Sequence, residues 1–318
     1  ISDENIKTVI QEFTQITNLN LMEANQIIYE KLTKYISVEQ NLGEERKSHT
    51  VKIIDFENLE NNEFLITNQF KVAGINQNII PDIILFVNGL PLAVIECKSP
   101  FITNPMEAGI NQLLRYCNKR KPEENEGAEK LFYYNQILVS TYNNQARLGT
   151  ISSRYEHYLE WKDVYPKNVE EFKDKSSQEI LIEGVFNHKN FLDIIRNFTI
   201  FEVVEGKTIK KIPRYQQYRA VHKTVEKISK GKNKKEKGGV IWHTQGSGKS
   251  LTMVFLAQVF RRNEELKKYK LLYITDRTQL DSQLTTTFQN TQDETVLQAD
   301  SAKDLRELIS KDSSDLIT

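Results

Sequence analysis

The spacing of apolar and polar residues divides the first two thirds of the chain into a helical start and a strand-rich segment. Residues 1–48 are predicted to be mainly helical, and apolar residues recur at helical spacing within Leu19–Tyr35. From Val51 onward the apolar runs are short, which is typical of strands, and a helical pattern returns at Asn104–Arg120. The predicted strands are Val51–Phe56, Glu63–Val72, Ile79–Val87, Leu90–Lys98 and Gln136–Tyr142.

Strands and helices alternate in the last third of the chain. After a helix at Tyr215–Ile228, strands predicted at Val240–Trp242 and Lys270–Thr275 enclose a helix at Lys249–Arg262. This alternation predicts a parallel sheet covered by helices. The lysine-rich stretch Ser229–Gly239 fits a solvated loop, with a nucleic-acid-binding patch as the alternative. We therefore predict two α/β domains, residues 1–200 and residues 201–318.

The composition is that of a soluble globular protein, with 39% hydrophobic and 27% charged residues. Lys+Arg and Asp+Glu number 43 each, so the net charge gives no reason to expect DNA, although a balanced sum can hide a basic channel. No membrane span or secretion signal is recognisable, and Cys97 and Cys117 lack metal-type spacing. We expect a cytoplasmic protein. The absence of an initiator Met and the strand-like segment Ser314–Thr318 suggest a piece of a longer chain.

The segment from His243 to Ser250 indicates a phosphate-binding loop. Gly246 and Gly248 allow a turn whose backbone N–H groups face phosphate oxygens at the start of a helix. Lys249 is expected to reach the β- and γ-phosphates of ATP, and Ser250 to bind its Mg²⁺. One departure is His243, which stands where such loops usually begin with Gly. The predicted ATP-binding residues are Thr244, Gln245, Gly246, Ser247, Gly248, Lys249 and Ser250.

ATP hydrolysis needs an acidic pair in addition to this loop. The candidates after Ser250 are Asp293, Glu294 and Asp304, and none of them follows an apolar strand. We therefore expect this chain to bind nucleotide without hydrolysing it efficiently.

Three residues on two neighbouring strands suggest a site for metal-dependent hydrolysis. Pro81 and Asp82 open the apolar run Ile83–Val87, and Asn88–Gly89 marks a tight turn. Glu96 and Lys98 share one face at the end of the next strand. Two carboxylates can hold Mg²⁺, which polarises a phosphodiester and activates water. Lys98 would position that water and offset negative charge. The alternative is an exposed Glu and Lys at the end of an edge strand.

The register of this hairpin distinguishes the two interpretations. A regular two-residue loop pairs Asp82 with Ile95, which leaves Glu96 on the opposite face. The site therefore requires a three-residue loop or a β-bulge that brings Asp82 across from Glu96. We predict such an irregularity.

The helix after Lys98 carries two further candidates. Gln112 and Tyr116 lie one turn apart, beside a row of apolar residues that is expected to be buried. If the helix packs on the site strand, this pair would either bind a DNA phosphate or orient Lys98. The alternative is a half-buried Tyr beside a solvated Gln, without a functional role. The expected buried row consists of Met106, Ile110, Leu113 and Cys117.

The nuclease motifs together resemble a known family. Asp82, Glu96 and Lys98, followed by Gln112 and Tyr116, are similar to the PD-(D/E)xK nuclease pattern with its accompanying Q-xxx-Y. The segment 86–98 resembles the restriction (R, motor) subunit of type I restriction endonucleases.

The second half of the chain resembles the motor of the same subunit. Residues 242–250 are similar to its motif I, and Thr275–Asp281 to its next helicase motif. Within that motif, Asp276 either contacts the DNA backbone or caps the following helix. Arg214–Gln217 resembles an adenine-reading element, with Gln217 as the first candidate and Gln216 as the second.

This resemblance covers roughly residues 50–318 and has several implications. It implies a PD-(D/E)xK endonuclease-like domain with a mixed central sheet flanked by helices, followed by the first part of a RecA-like P-loop domain. It implies Mg²⁺-dependent cleavage of double-stranded DNA coupled to ATP-driven translocation, together with modification (methyltransferase) and specificity subunits. The family often adds an N-terminal glutamate, for which Glu23 and Glu30 are candidates if it does not precede Ile1. The alternatives are a repair-type nuclease–helicase and a catalytically silent DNA-binding and assembly module.

Overall fold

The structure is a computed structural model that describes residues 2–16, 19–42, 45–74, 76–120, 126–275, 278–291 and 296–318. These residues form two compact units. The first unit comprises Ile1–Lys162 and Lys173–Leu192, and the second comprises Asp163–Phe172 and Asp193–Thr318. No helix in the described part of the chain is long and apolar enough to cross a membrane.

The first unit begins with two helices and a β-hairpin, so the helical prediction for residues 1–48 is only partly correct. After Lys34 the chain pairs with itself as an antiparallel hairpin. Ile36 and Val38 are buried, whereas Ser37 and Glu39 are exposed, and this two-residue alternation is that of a strand rather than a helix. The elements are α1 (Asp3–Thr14), α2 (Leu21–Lys34), β1 (Ile36–Leu42) and β2 (Glu45–Val51).

The strand predicted at Val51–Phe56 is wrong beyond its first residue. The carboxylate of Asp55 accepts hydrogen bonds from the backbone N–H groups of Glu57 and Asn58, each at 3.0 Å. This local turn competes with a strand for the same backbone groups.

A five-stranded mixed sheet forms the centre of the first unit. The order is the order of the sequence, and the third and fourth strands are parallel while all other neighbours are antiparallel. The strand predicted at Leu90–Lys98 is confirmed over its full length, and most of the others are shorter than predicted. The strands are β3 (Phe64–Asn68), β4 (Ile83–Val87), β5 (Leu90–Lys98), β6 (Ile137–Tyr142) and β7 (Gln145–Gly149).

The predicted irregularity in the β4–β5 hairpin is confirmed, and it is a β-bulge. Asn88 and Gly89 form a two-residue turn with φ values of 50° and 79°, the positive angles that such a tight turn needs. Phe86 pairs with Pro91, but Leu85 pairs with Ala93, so Leu92 is the extra residue. The shift brings Ile83 opposite Ile95, so Asp82, the residue before β4, lies opposite Glu96.

Helix α3 (Pro105–Tyr116) packs on β5 and β6 through the predicted buried row. Gly109 lies at the closest approach, since a side chain there would overlap the Oγ atom of Ser140 on β6. The Ser140 hydroxyl donates to the Met106 carbonyl at 3.1 Å, which fixes the helix to the strand. The buried row is confirmed, with exposed fractions of 6% for Met106 and 0% for Ile110, Leu113 and Cys117.

The remaining helices flank the sheet or follow it in the sequence. The buried side-chain amide of Asn25 in α2 donates to the carbonyl of Phe132 at 2.9 Å and to that of Asn135 at 2.7 Å, which fixes α2 to residues 129–135. The helices are α4 (Glu129–Tyr134), α5 (Ser177–Leu181), which continues as a π-helical turn (Ile182–Phe186), and α6 (His188–Asn197).

The second unit contains the predicted parallel arrangement, but its strands are short. The strand Leu271–Leu272 and the strand Val296–Leu297 each pair in parallel with the last strand, Leu316–Ile317, which lies between them. The helix predicted at Lys249–Arg262 is confirmed at both ends. The elements are β8 (Ile200–Val204), β9 (Lys207–Lys211), α7 (Tyr215–Lys230), α8 (Lys234–Lys237), α9 (Lys249–Arg262), β10 (Leu271–Leu272), α10 (Thr278–Thr291), β11 (Val296–Leu297), α11 (Ala302–Ser310) and β12 (Leu316–Ile317).

The buried strand predicted at Val240–Trp242 is wrong. Val240 is 92% exposed and Trp242 is 82% exposed. None of the described strands pairs with these residues. Without a neighbouring strand, the backbone groups are left to water and the apolar side chains stay outside the core.

The close approach at Gly109 gives a testable prediction. An alanine in a solvent-exposed helix is about 1 kcal/mol more favourable than glycine. In Gly109→Ala the added methyl group would instead push α3 away from β6, and we expect the free energy of unfolding to fall by about 1–3 kcal/mol in urea denaturation. The double variant with Ser140→Ala removes the overlapping oxygen and should recover part of the loss. A stabilised Gly109→Ala single variant would contradict this packing.

Candidate functional site

The carboxylate of Asp82 is held at both of its oxygens. Oδ2 accepts a hydrogen bond from the backbone N–H of Cys97 at 2.8 Å. Oδ1 accepts one from the side-chain amide of Gln69 at 2.8 Å. Asp82 therefore joins the end of β3 to the end of β5, and its carboxylate has a defined orientation.

Glu96 and Lys98 lie on the same face of β5, as predicted. The Lys98 ammonium donates to Glu96 Oε1 at 2.6 Å. Glu96 is 2% exposed, and the Lys98 side chain is 16% exposed. The alternative of an exposed pair at the end of an edge strand is therefore wrong, because β5 is the middle strand of the sheet.

Helix α3 completes a continuous chain of polar contacts. The Gln112 carbonyl oxygen Oε1 accepts from Lys98 at 2.6 Å, and its amide Nε2 donates to the Tyr116 hydroxyl at 2.6 Å. Of the two roles considered for this pair, the orientation of Lys98 is the one seen in these contacts. Asp82, Glu96, Lys98, Gln112 and Tyr116 are called the carboxylate–lysine cluster below.

The electrostatics of this cluster are dominated by burial. Burial raises the pKa of Glu96 to about 7, although the hydrogen bond and the charge of Lys98 act in the opposite direction. The neighbouring Asp82 carboxylate raises it further. Burial also raises the pKa of Tyr116 to about 12, so its phenol stays protonated at neutral pH. The single ammonium of Lys98 therefore compensates only part of the negative charge of Asp82 and Glu96.

A buried carboxylate oxygen of the cluster has the environment of a cation ligand. Glu96 Oε2 is buried and accepts no hydrogen bond from a protein donor, and the carboxylate that interacts with Glu96 is that of Asp82, also an acceptor when ionised. A buried carboxylate oxygen without a donor is costly, and a divalent cation of Mg²⁺ type prefers such oxygens. No group of three His, Cys, Asp or Glu side chains suited to a metal ion occurs among the described residues. Asp82 and Glu96 would therefore need water or substrate oxygens to complete a coordination shell.

The two N-terminal candidates are engaged within their own helix. Glu23 accepts from the backbone N–H of Asn20 at 3.2 Å, which makes it part of a capping box at the start of α2. Glu30 accepts from Gln26 at 3.3 Å. These contacts account for both residues without the cluster.

The phosphate-binding loop has the backbone geometry that its glycines predict. Gly246 and Gly248 have φ values of 77° and 83°, in the left-handed region that other residues rarely adopt. Lys249 opens α9 and donates from its ammonium to the carbonyls of His243 and Thr244, both at 2.9 Å. Ser250 is half-buried in the first turn of the same helix. The loop thus places a cation and a helix N-terminus together.

Gln217 connects this loop to α7. Its amide Nε2 donates to the Gly248 carbonyl at 3.0 Å, and its Oε1 accepts from the backbone N–H of Arg214 at 2.8 Å. Gln217 is 3% exposed, whereas the second candidate, Gln216, is exposed. The amide of Gln217 therefore contacts protein groups on both sides.

The remaining candidates of the second unit are described only in part. Asp276, Asp293 and Glu294 lie outside the described residues. Asp304 lies in the first turn of α11, where its backbone N–H donates to Ser301 Oγ at 3.1 Å. The lysine-rich stretch 229–239, expected to be a loop, is partly helical, since Lys230 ends α7 and Lys234–Lys237 forms α8. Lys230 pairs with Glu226 at 2.6 Å and is largely solvated.

Two residues at the cluster belong to none of the predicted motifs. Gln69 is 13 positions from Asp82 and belongs to no local motif. Gly109 is an isolated glycine within a helical pattern, and only its contact with Ser140 reveals its role. An isolated helical glycine beside candidate residues is the one clue that could have been used.

The fold and the cluster define a mixed α/β protein with a carboxylate–lysine site in one unit and a glycine-rich loop at the N-terminus of a helix in the other. Residues 1–157 match the family model for the type I restriction enzyme R protein N terminus, and residues 216–318 match the model for the SWI2/SNF2 ATPase.

Curated relatives are similar over nearly the whole chain. It is 36% identical over 315 residues to the type I restriction enzyme HindI endonuclease subunit of Haemophilus influenzae, which covers 96% of this chain and 29% of the relative. It is 30% identical over 340 residues to the putative type I restriction enzyme MjaIXP endonuclease subunit of Methanocaldococcus jannaschii, which covers 100% of this chain and 31% of the relative.

The chain therefore belongs to the type I restriction enzyme R protein family. It spans less than a third of the length of these two relatives.

The raised pKa of Glu96 predicts a pH-dependent cost in stability. The unfolded chain releases this proton near the ordinary value of 4.5, and the folded chain near 7. Folding is therefore favoured most below the lower value, and the advantage is lost as the pH rises through 7. In EDTA, Glu96→Gln should be more stable than the unaltered chain at pH 8.5, by about 1–3 kcal/mol in urea denaturation, and about equally stable at pH 5. If Glu96→Gln and the unaltered chain have the same free energy of unfolding at pH 8.5 as well as at pH 5, an ionised Glu96 carries no burial cost and the prediction is wrong.

Proposed function

We propose that the first unit is a divalent-cation-dependent DNA endonuclease and that the second unit binds ATP, within the R subunit of a type I restriction-modification enzyme. The observation that carries this proposal is the carboxylate–lysine cluster, in which a buried Glu96 oxygen without a donor lies beside an oriented Lys98. The family membership is consistent with it, because both relatives are named endonuclease subunits.

The proposal includes the finer fold assignment. The mixed sheet with its parallel β5–β6 pair, and with candidate residues on β5 and on the helix that follows it, supports a PD-(D/E)xK endonuclease-like domain. The three parallel strands and the SWI2/SNF2 match support the first part of a RecA-like domain. We place the two domains at residues 1–200 and 201–318.

Asp82 and Glu96 are the residues that would hold Mg²⁺. When bound, such an ion polarises a phosphodiester and lowers the pKa of the attacking water. Asp82 is already oriented by its two hydrogen bonds, so little conformational freedom is lost on binding. Glu96 supplies the oxygen that has no other partner.

Lys98 has the position to act on the phosphate and on the attacking water. Its ammonium is held between Glu96 and Gln112, each at 2.6 Å, and it retains a third N–H to donate. It can offset the negative charge that develops on the phosphate oxygens as the P–O bond breaks. Gln112 and Tyr116 hold the ammonium in this position, because the hydrogen bond between them fixes the Gln112 side chain whose oxygen accepts from Lys98.

The phosphate-binding loop is proposed to hold Mg²⁺-ATP. Lys249 would exchange the carbonyls of His243 and Thr244 for phosphate oxygens, and Ser250 would bind the Mg²⁺ ion. The backbone from Thr244 to Gly248 would line the phosphates, and Gln217 is the proposed adenine reader. Coupling of ATP hydrolysis to DNA translocation belongs to the whole subunit in this proposal.

The partners follow from the same proposal. Double-stranded DNA is the substrate, and modification (methyltransferase) and specificity subunits supply methylation and the choice of target. We propose a cytoplasmic location, where the two cysteines stay reduced.

Lys98→Ala tests the nuclease half. Loss of the ammonium should lower the rate of Mg²⁺-dependent nicking of supercoiled DNA by about 100-fold or more, because charge development on the phosphate is no longer offset. DNA binding, measured by fluorescence anisotropy in EDTA, should be nearly unchanged. The control is Lys162→Ala, a solvated lysine paired with Glu160 far from the cluster in sequence. Nicking that survives in Lys98→Ala would refute the nuclease assignment, and an unaltered chain that binds DNA without nicking it would favour a silent binding module.

Lys249→Ala tests the nucleotide half. Removal of the ammonium should weaken the binding of a fluorescent ATP analogue by at least about 10-fold, because the phosphates lose a charge-assisted contact. The matched control is Lys267→Ala, a solvated lysine that pairs with Glu264 in the turn after α9. Unchanged nucleotide affinity in Lys249→Ala would contradict the phosphate-binding loop.

A further inference from the structure

Gln69 is the residue outside the recognised motifs that has the most direct contact with the cluster. It follows β3, the edge strand next to β4, and it contacts Asp82 twice. Its backbone N–H donates to the Asp82 carbonyl at 2.9 Å, and its side-chain amide donates to Asp82 Oδ1 at 2.8 Å. A two-point contact of this kind fixes the relative orientation of both residues.

The chemistry of the contact identifies the donor without ambiguity. An ionised carboxylate only accepts hydrogen bonds, so the atom of Gln69 that faces Asp82 must be the amide nitrogen. Because the acceptor is charged, the hydrogen bond is stronger than one between neutral groups. The other carboxylate oxygen is taken by the Cys97 N–H, so Gln69 and β5 hold Asp82 from opposite sides.

The backbone of Gln69 is specialised for this contact. Its φ is 51°, in the left-handed region that a non-glycine residue occupies at a cost. The chain is constrained before it by the pairing of Asn68 with Ile83. After it, the Phe70 ring packs edge-on against the Phe86 ring, with 5.5 Å between the centroids. The β3 edge therefore presents the amide to Asp82 instead of continuing as a regular strand.

We infer that Gln69 is a positioning residue that orients the Asp82 carboxylate for a divalent cation. This inference rests on the proposed nuclease function and extends it to a residue beyond the Asp, Glu, Lys, Gln and Tyr of the motifs. A carboxylate held by a donor keeps one rotamer, so the cation meets a preformed pair of Asp82 and Glu96 oxygens. Without the amide, Asp82 keeps only its contact with Cys97 and can turn away from Glu96.

The test is Gln69→Ala in the full chain, with Mn²⁺ as the probe. The Mn²⁺ dissociation constant, from electron paramagnetic resonance titration, should rise about tenfold, in the range typical for removal of a hydrogen bond that orients a metal ligand. The Mg²⁺ concentration that gives half-maximal nicking should rise by a similar factor. The nicking rate at saturating Mg²⁺ should change less than about twofold, because Gln69 does not touch the scissile group in this scheme.

Two further variants separate positioning from a structural role. Gln69→Asn keeps the amide N–H₂ donor, one methylene closer to the backbone, and should recover part of the Mn²⁺ affinity. Asn68→Ala truncates the exposed neighbouring side chain and should leave both affinity and thermal unfolding unchanged. If Gln69→Ala lowers the melting temperature and Gln69→Asn recovers none of the Mn²⁺ affinity, the inference is overturned in favour of a structural role.

The outcomes also separate this inference from the function on which it rests. If the unaltered chain binds Mn²⁺ and Gln69→Ala binds it equally well, the role of Gln69 is refuted and the nuclease proposal stands. If the unaltered chain binds no Mn²⁺, the nuclease proposal and the role of Gln69 are refuted together.

Discussion

The register shift at Leu92 is the constraint on which the first unit depends. Side chains alternate between the two faces of a strand, so one extra residue in β5 moves every later side chain to the other face relative to β4. The shift places Asp82, the residue immediately before β4, opposite Glu96. The backbone N–H of Cys97 then donates to the Asp82 carboxylate. The regular turn at Asn88–Gly89 sets the pairing of the hairpin, and the bulge corrects it. The acidic pair exists only because both features are present.

The cluster that follows from this register is costly to keep. Glu96 is ionised in a buried place only at the expense of folding stability, as its raised pKa shows. Lys98, Gln112 and Tyr116 offset part of that cost through consecutive hydrogen bonds from β5 to α3. The chain of contacts is short because Gly109 lets the helix lie close to β6. Gln112, which contacts Lys98, and Gly109, which sets the packing of α3, therefore both determine the position of the Lys98 ammonium.

Elements whose residues interact locally could be predicted, and contacts between distant residues could not. Leu90–Lys98 was predictable from its apolar run, and the bulge followed because Asp82 and Glu96 had to share a face. The hairpin of β1 and β2 was missed because Ile36 and Val38 continue an apolar pattern that begins in the helix before them. The strand at Val240–Trp242 failed for the opposite reason, since apolar composition supplies no pairing partner. Gln69 could not be predicted because its contact with Asp82 exists only after β3 and β4 have paired.

Both candidate sites keep their lysine satisfied by acceptors of the protein itself. Lys98 donates to a carboxylate and an amide, and Lys249 donates to two backbone carbonyls. Each ammonium has three N–H groups, so a ligand meets one open donor and competes with the protein for the other two. The net gain is therefore smaller than a gross ion pair suggests. The exchange differs between the two sites. Neutral carbonyls compete weakly with a phosphate, so Lys249 should transfer readily, whereas Lys98 stays bound to an anionic Glu96 until that carboxylate gains another cation. The acidic pair and the lysine of the first unit are thus linked, because a cation bound by Asp82 and Glu96 would weaken the contact between Glu96 and Lys98 and leave more of the ammonium to the phosphate.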